Sequence, residues 1–232
     1  MPESIVILTG AGVSAESGLG TFRDSGGIWD QYDLEDVAAP EGFARNPALV
    51  HDFYNARREN AALAQPNAAH EALARLERRL LGRVTLITQN IDGLHERAGS
   101  RRIYAMHGRV DRAVCAACAH RWPSPPQLST QTACPACGQS TCRPDVVWFG
   151  EMPYHLDEIE QALRRATQLV VIGTSGTVYP AAGFVEVASQ LDAHTVEINL
   201  ARSEASDAFD RVIEGPASEV VPAWVDEVLG SW

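Results

Sequence analysis

Four short apolar runs punctuate the chain: residues 5–8, "VTLITQN" at 84–90, "LVVIGT" at 169–174 and "TVEINL" at 195–200. A run that is apolar throughout, without polar alternation, predicts a strand buried on both faces. Between these runs lie helical stretches, "NAAHEALARLERRL" at 67–80 and "HLDEIEQALRRA" at 155–166. Strands alternating with helices predict an α/β fold, a Rossmann-like parallel sheet with helices on both faces. Residues 1–29, 67–110 and 145–232 would form it, interrupted by a helical insert at 30–66 and a cysteine- and proline-rich module at 111–144. Binding sites in such sheets lie past the carboxyl ends of the strands. The segments "TGAG", "TQNIDGLH", "GTSGTVYP" and "INL" all occur where an apolar run stops, so four polar strand ends converge on one crevice.

Composition narrows the function. Thirty acids against 19 bases give a net charge of -11, which disfavours nucleic acid as a partner. No apolar run approaches the roughly 20 residues of a membrane span, and no basic-then-apolar leader opens the chain. The expectation is a cytoplasmic monomer with neither membrane nor nucleic acid as partner. Four of the five cysteines form Cys115-x-x-Cys118 and Cys134-x-x-Cys137, with 15 residues between the pairs. This spacing suits a closed, structural Zn²⁺ site better than a disulfide framework or a redox thiol pair. Cys137 and Cys142 could in principle pair in the ligand set, but the symmetric spacing favours Cys142 as a spare, buried thiol.

The loop "GAGVSAESGLGTFR" at 10–23 is rich in glycine and small residues. Gly10-Ala11-Gly12 permits close backbone approach, and a following helix start favours a phosphate. The usual dinucleotide fingerprint G-x-G-x-x-G fails, because position 15 is Ala15. A plain strand-to-helix turn would gain nothing from Phe22-Arg23 at its end, whereas a ligand with phosphates and an aromatic ring would. Gln89, Asn90 and Asp92 follow a strand directly, where amides and a carboxylate can hydrogen-bond ribose hydroxyls or a carboxamide. His107, between that strand end and the cysteine module, has the side chain suited to general-base work near neutral pH.

Together these residues resemble the sirtuins, the NAD-dependent lysine deacylases. "GAGVSAESGLGTFR", "TQNIDGLH", "HG" at 107–108, the zinc cysteines, "VVWFGE" at 146–151, "GTS" at 173–175 and "INL" at 198–200 appear in family order across nearly the whole chain. Leu19 and Gly20 depart from the isoleucine and proline usual there, and the chain resembles a bare catalytic core without extensions. The resemblance implies that Gly10, Ala11, Gly12 and Ser14 face the NAD diphosphate, with Gly173, Thr174 and Ser175 opposite. Glu16, Asn199 and Ala217 would lie near the adenosine, Phe22 would shield the nicotinamide pocket, and Arg23 would hold the loop and cofactor. Asn90, Asp92 and Gln89 would position the nicotinamide ribose and carboxamide, and His107 would be the general base. The acyl oxygen of a modified lysine would displace nicotinamide, the 2′-oxygen would attack the resulting imidate, and water would complete release of free lysine and 2′-O-acyl-ADP-ribose. "VVWFGE" would lie as an extended strand against an acyl-lysine protein or peptide, with Val147, Trp148, Phe149 and Gly150 around the lysine tunnel.

The acyl group is suggested by "NPALVHDFYNARREN" at 46–60. Asn46 is a natural N-cap with Pro47 at the first helical position. On a wheel of 100° per residue, Leu49, Val50, Phe53, Tyr54 and Ala61 form one apolar face. Arg57 falls in its middle and Arg58 at its edge, nearer solvent. A guanidinium on a core-facing stripe is costly unless an anion meets it. An internal acid pairs with Arg57, or the Arg57 side chain snorkels to water, or Arg57 and Tyr54 receive a carboxylate on the substrate. The Tyr-x-x-Arg pair and the small Ala38 resemble the sirtuin subclass that removes succinyl and malonyl groups, which implies a desuccinylase and demalonylase with deacetylation as a second activity. The alternatives are a plain deacetylase with Arg57 structural, or an NAD or ADP-ribose sensor. Retention of both Asn90 and His107 favours catalysis over the sensor.

Overall fold

A computed structural model describes residues 4–20, 32–174 and 181–230 of the 232-residue chain. Its strands are β1 (Ile5–Thr9), β2 (Val84–Thr88), β3 (Ile103–Ala105), β4 (Gly108–Cys115), β5 (Arg121–Pro123), β6 (Cys142–Val146), β7 (Gln168–Ile172), β8 (His194–Asn199) and β9 (Arg211–Glu214). Six form one parallel sheet in the order β3-β2-β1-β7-β8-β9, and three form an antiparallel sheet in the order β5-β4-β6. The α-helices are α1 (Gly12–Ala15), α2 (Leu34–Val37), α3 (Pro40–Arg45), α4 (Pro47–Leu63), α5 (Ala68–Arg79), α6 (Leu94–Arg97), α7 (Leu156–Leu163), α8 (Phe184–Gln190) and α9 (Ala217–Gly230). Among the described residues, no helix is long and apolar enough to cross a membrane.

The central strand explains why its sequence lacks alternation. Successive side chains of a strand point to opposite faces. Ile5 and Ile7 pack with Leu73 and Leu76 of α5 and with Val221, Trp224 and Val225 of α9. Val6 and Leu8 pack on the other face with Ile159 and Leu163 of α7 and with Phe184 and Val185 of α8. Both faces are dry, so both sets must be apolar.

Two edge strands and the last helix escape the sequence pattern. β3 is three residues long and β9 is four, each at one end of the sheet. α9 contains Pro222, which removes a hydrogen bond from a helix interior at a cost of roughly 3 kcal/mol. Burial of Val221, Trp224, Val225 and Val228 against the first core offsets that cost.

β1 lies between β2 and β7, so the chain winds outward from it in both directions. Ligands bind in such sheets at this reversal, past the carboxyl ends. There the backbones nearly touch: the Gly12 amide donates to the Gly173 carbonyl at 2.8 Å. A Cβ on Gly173, whose φ is +61°, would stand 2.5 Å from the Val13 nitrogen. Gly173→Ala should therefore lower the unfolding free energy by about 2 kcal/mol or more, as read by urea denaturation. A change below about 0.5 kcal/mol would show that this contact is not tight.

Candidate active site

The crevice is built from strand ends that lock one another. The Gln89 amide donates to the Thr9 carbonyl (2.9 Å), and the Gln89 side chain donates to Thr174 Oγ1 (3.1 Å). The Asn90 side chain donates to the Gly10 carbonyl (3.0 Å) and to Ser14 Oγ (3.1 Å). Ser14 Oγ in turn donates to Asp92 Oδ2 at 2.8 Å, while Asp92 Oδ1 accepts from the Leu94 amide at 2.8 Å. The predicted set Gly10, Ala11, Gly12, Ser14, Gln89, Asn90 and Asp92 thus lies around one connected rim, with Gly173 and Thr174 across from it. Glu16 accepts from the amide and hydroxyl of Ser218 at 2.8 and 2.6 Å, which ties the loop to the start of α9 beside Ala217. Asn199 donates to the Thr174 carbonyl at 2.9 Å. Phe22, Arg23 and Ser175 lie outside the described residues.

Beneath this rim is a buried polar layer that the sequence reading passed over. Asn67 caps α5 in a reciprocal box with His70, and its side chain also donates to the Val13 carbonyl at 2.9 Å. His70 Nε2 lies 3.4 Å from Ser14 Oγ, and His95 Nε2 lies 2.9 Å from Thr9 Oγ1. Burial pushes the His70 imidazole down to about 4 and His95 well below its usual value, so both are neutral at neutral pH. The available signal was Asn-x-x-His ahead of an amphipathic helix, an N-cap pattern.

His107 lies between β3 and β4. Its position depends on Gly108, whose φ is +79° and whose Cβ, if present, would stand 2.1 Å from the Asp145 carbonyl. His107 Nδ1 is 3.1 Å from the Gln89 carbonyl. A carbonyl only accepts, so Nδ1 carries the proton and Nε2 presents a lone pair. Burial lowers the His107 pKa from its ordinary value, partly opposed by this hydrogen bond.

The helical insert meets the small sheet in a third cluster, containing Ala38, Val50, Phe53, Tyr54, Val110, Val146 and Trp148. The Trp148 indole N–H donates to the Tyr54 hydroxyl at 3.0 Å. Burial pushes the Tyr54 phenol up to about 12, so it is protonated. The Arg57 guanidinium lies 5.7 Å from the centroid of the Phe53 ring, and burial lowers its pKa.

Two expectations are corrected here. Arg58 is only 8% exposed, not at the wet edge. Its Nε donates to the Val110 carbonyl (2.8 Å), and one terminal nitrogen donates to Asn55 Oδ1 (2.7 Å) and the Pro126 carbonyl (3.3 Å). The bonds to the Val110 and Pro126 carbonyls tie α4 to β4 and the cysteine module. Nor is "VVWFGE" one extended strand: β6 ends at Val146 and residues 149–150 form a turn. The amides of Val147, Trp148 and Phe149 are already given to the His107 carbonyl, Glu151 Oε2 and the Ala38 carbonyl. Val147 is half-buried, Trp148 buried, and Phe149 and Gly150 exposed.

The Sγ atoms of Cys115, Cys118, Cys134 and Cys137 all lie within 4.8 Å of one another. The Cys115–Cys137 and Cys118–Cys134 separations are 3.6 and 3.7 Å. A tetrahedron with Zn–S bonds of about 2.3 Å has edges of about 3.8 Å, so the four thiols fit Zn²⁺ without a place for water. Cys142 is buried nearby, its thiol directed to the Gln139 carbonyl at 3.8 Å, and stands outside the cluster.

Comparison with known proteins agrees with this architecture. Residues 10–180 match the Sir2 family. The chain is 56% identical over 229 residues to an NAD-dependent protein deacylase of Caulobacter vibrioides, covering 97% of this chain and 96% of that one. It is 51% identical over 228 residues to an NAD-dependent protein deacylase of Salmonella typhimurium, covering 97% and 84%. Among solved structures, a Sir2 homolog in complex with NAD superposes with a TM-score of 0.90 at 40% identity, covering 99% of this chain and 91% of that one. The chain belongs to the Sir2 family, the sirtuins.

The cluster geometry separates the roles of the thiols. Cys137→Ser should lose bound zinc and melt the small sheet, whereas Cys142→Ser should keep its full zinc complement, as measured by metal analysis and thermal unfolding. Loss of zinc from Cys142→Ser would place that thiol in the ligand set.

Proposed function

We infer that this protein is an NAD-dependent protein lysine deacylase that prefers succinyl and malonyl groups over acetyl. NAD, when bound, supplies the ribose carbon that takes up the acyl oxygen and the hydroxyl to which the acyl group passes; with one water consumed, the products are free lysine, nicotinamide and 2′-O-acyl-ADP-ribose. Gly10, Ala11 and Gly12 on one side and Gly173 and Thr174 on the other would hold its diphosphate by backbone approach. Glu16 and Asn199 would border the adenosine. Asn90 and Asp92, fixed through Ser14, would orient the nicotinamide end. Zn²⁺ on the four cysteines would be structural, holding the small sheet that carries Val110 and Val146.

His107 would take the ribose hydroxyl proton through Nε2, the nitrogen left unprotonated by the bond from Nδ1 to Gln89. Because only the neutral imidazole is a base, protonation stops the reaction. kcat/KM should fall with decreasing pH through an apparent pKa below the ordinary value of about 6.5, and His107→Ala should lower kcat by about 10²–10⁴-fold. An acidic limb centred above about 7 would assign the titration to another group.

The observation that carries the acyl preference is a guanidinium and a protonated phenol one helical turn apart on α4, beside a largely apolar cluster that includes Ala38. A substrate carboxylate reaching that cluster would meet a charge-assisted pair. Arg57→Met should raise KM for a succinyl-lysine peptide by about 10- to 100-fold while changing KM for the acetyl-lysine peptide less than about twofold. Equal losses on both peptides would return Arg57 to a structural role.

A further inference from the structure

An indole N–H can only donate, so the 3.0 Å contact between Trp148 Nε1 and the Tyr54 oxygen makes that hydroxyl the acceptor. The phenolic proton must then point elsewhere, and among the described residues no acceptor meets it. Tyr54 is 2% exposed, so water does not freely take the acceptor's place. A buried donor without an acceptor is costly, and the cost is removed when a ligand brings a lone pair. Arg57, three residues on along α4, adds positive charge on the same side. The fitting acceptor is therefore an anionic oxygen.

The indole that sets this orientation is itself held by its neighbours. The Arg143 guanidinium stacks over the Trp148 ring at 3.7 Å, and the Phe43 ring packs against it at 5.2 Å. Glu151 receives Arg143 through both oxygens at 2.6 and 2.8 Å and also accepts the Trp148 amide at 2.9 Å. Arg143 donates further to the Val146 carbonyl at 2.8 Å. Burial opposes ionisation of Glu151, but the bonds from Arg143 and the Trp148 amide outweigh it and hold its carboxyl below the usual range. Backbone and ring of Trp148 are thus fixed by one ion pair, leaving the indole N–H a single direction.

We propose that Trp148 is a positioning residue for acyl selectivity: its N–H, locked by the Arg143–Glu151 clamp, turns the Tyr54 hydroxyl proton toward the carboxylate of an acidic acyl group. The inference rests on the reading of Tyr54 and Arg57 as the acyl receptor and adds the group that orients it. A neutral acetyl group has no carboxylate there and is indifferent to the hydroxyl's direction.

The test is steady-state kinetics on succinyl-lysine and acetyl-lysine peptides with Trp148→Phe, Tyr54→Phe and the double variant. Phenylalanine keeps a ring beside Phe43 and Arg143 but removes the N–H. Trp148→Phe should raise the ratio of the succinyl KM to the acetyl KM by about three- to tenfold. The double variant should be no worse than Tyr54→Phe alone, because the N–H then has no acceptor to orient. Equal rises on both peptides, or losses that multiply in the double variant, would overturn the inference and make Trp148 a packing residue. Arg57→Met on the same peptides separates the two claims. If it discriminates and Trp148→Phe does not, the inference alone fails; if it does not discriminate, the acidic-acyl reading fails and takes the inference with it. Should Trp148→Phe not fold, the indole ¹H–¹⁵N resonance of Trp148 gives the same answer. It should shift and exchange faster in Tyr54→Phe, and an unmoved signal would overturn the proposal.

Discussion

The site depends on the approach of two backbones at the reversal point of the sheet. With no side chain on Gly12 or Gly173, the turn after β1 settles onto the turn after β7 through a 2.8 Å hydrogen bond. That contact brings Gln89, Asn90, Thr174 and Asn199 within reach of one another, and their side chains close the rim. A Cβ at either glycine would push the strand ends apart and open the crevice from its floor. The neutral histidines below the rim show the same economy of space, since a charged imidazole in that layer would be strongly desolvated.

The cysteine module acts on chemistry it does not touch. Its strands β4 and β6 carry Val110 and Val146 into the cluster that contains Tyr54 and Trp148. Arg58 and Asn55 fasten α4 to the same module through the carbonyls of Val110, Pro126 and Leu128. Gly108 lets β4 start against Asp145, which fixes His107 at the junction. A structural metal that holds this sheet would therefore set the geometry of both His107 and the Tyr54–Trp148 cluster.

Sequence made the centre of the fold legible and its edges illegible. β1, β2, β7 and β8 are dry on both faces, and that demand writes an apolar run. β3 and β9 pair on one side only and are too short to carry a pattern, while the proline in α9 masks a helix held by tertiary burial. The rim of the crevice was readable because glycines and amides stand directly after apolar runs. Arg58 was misplaced because a helical wheel ranks positions by angle and cannot see carbonyls offered by a distant segment. The turn at 149–150 was missed for a similar reason: the acceptors for the amides of Val147, Trp148 and Phe149 come from His107, Glu151 and Ala38.

The most direct test of the account is a competition assay on the unaltered protein. NAD and an equal mixture of succinyl-lysine and acetyl-lysine peptides would be followed by mass spectrometry, together with the O-acyl-ADP-ribose products. Faster loss of the succinyl mark, with O-succinyl-ADP-ribose accumulating, is the predicted result. Faster loss of the acetyl mark would contradict the acidic-acyl pocket built from Tyr54, Arg57 and Trp148.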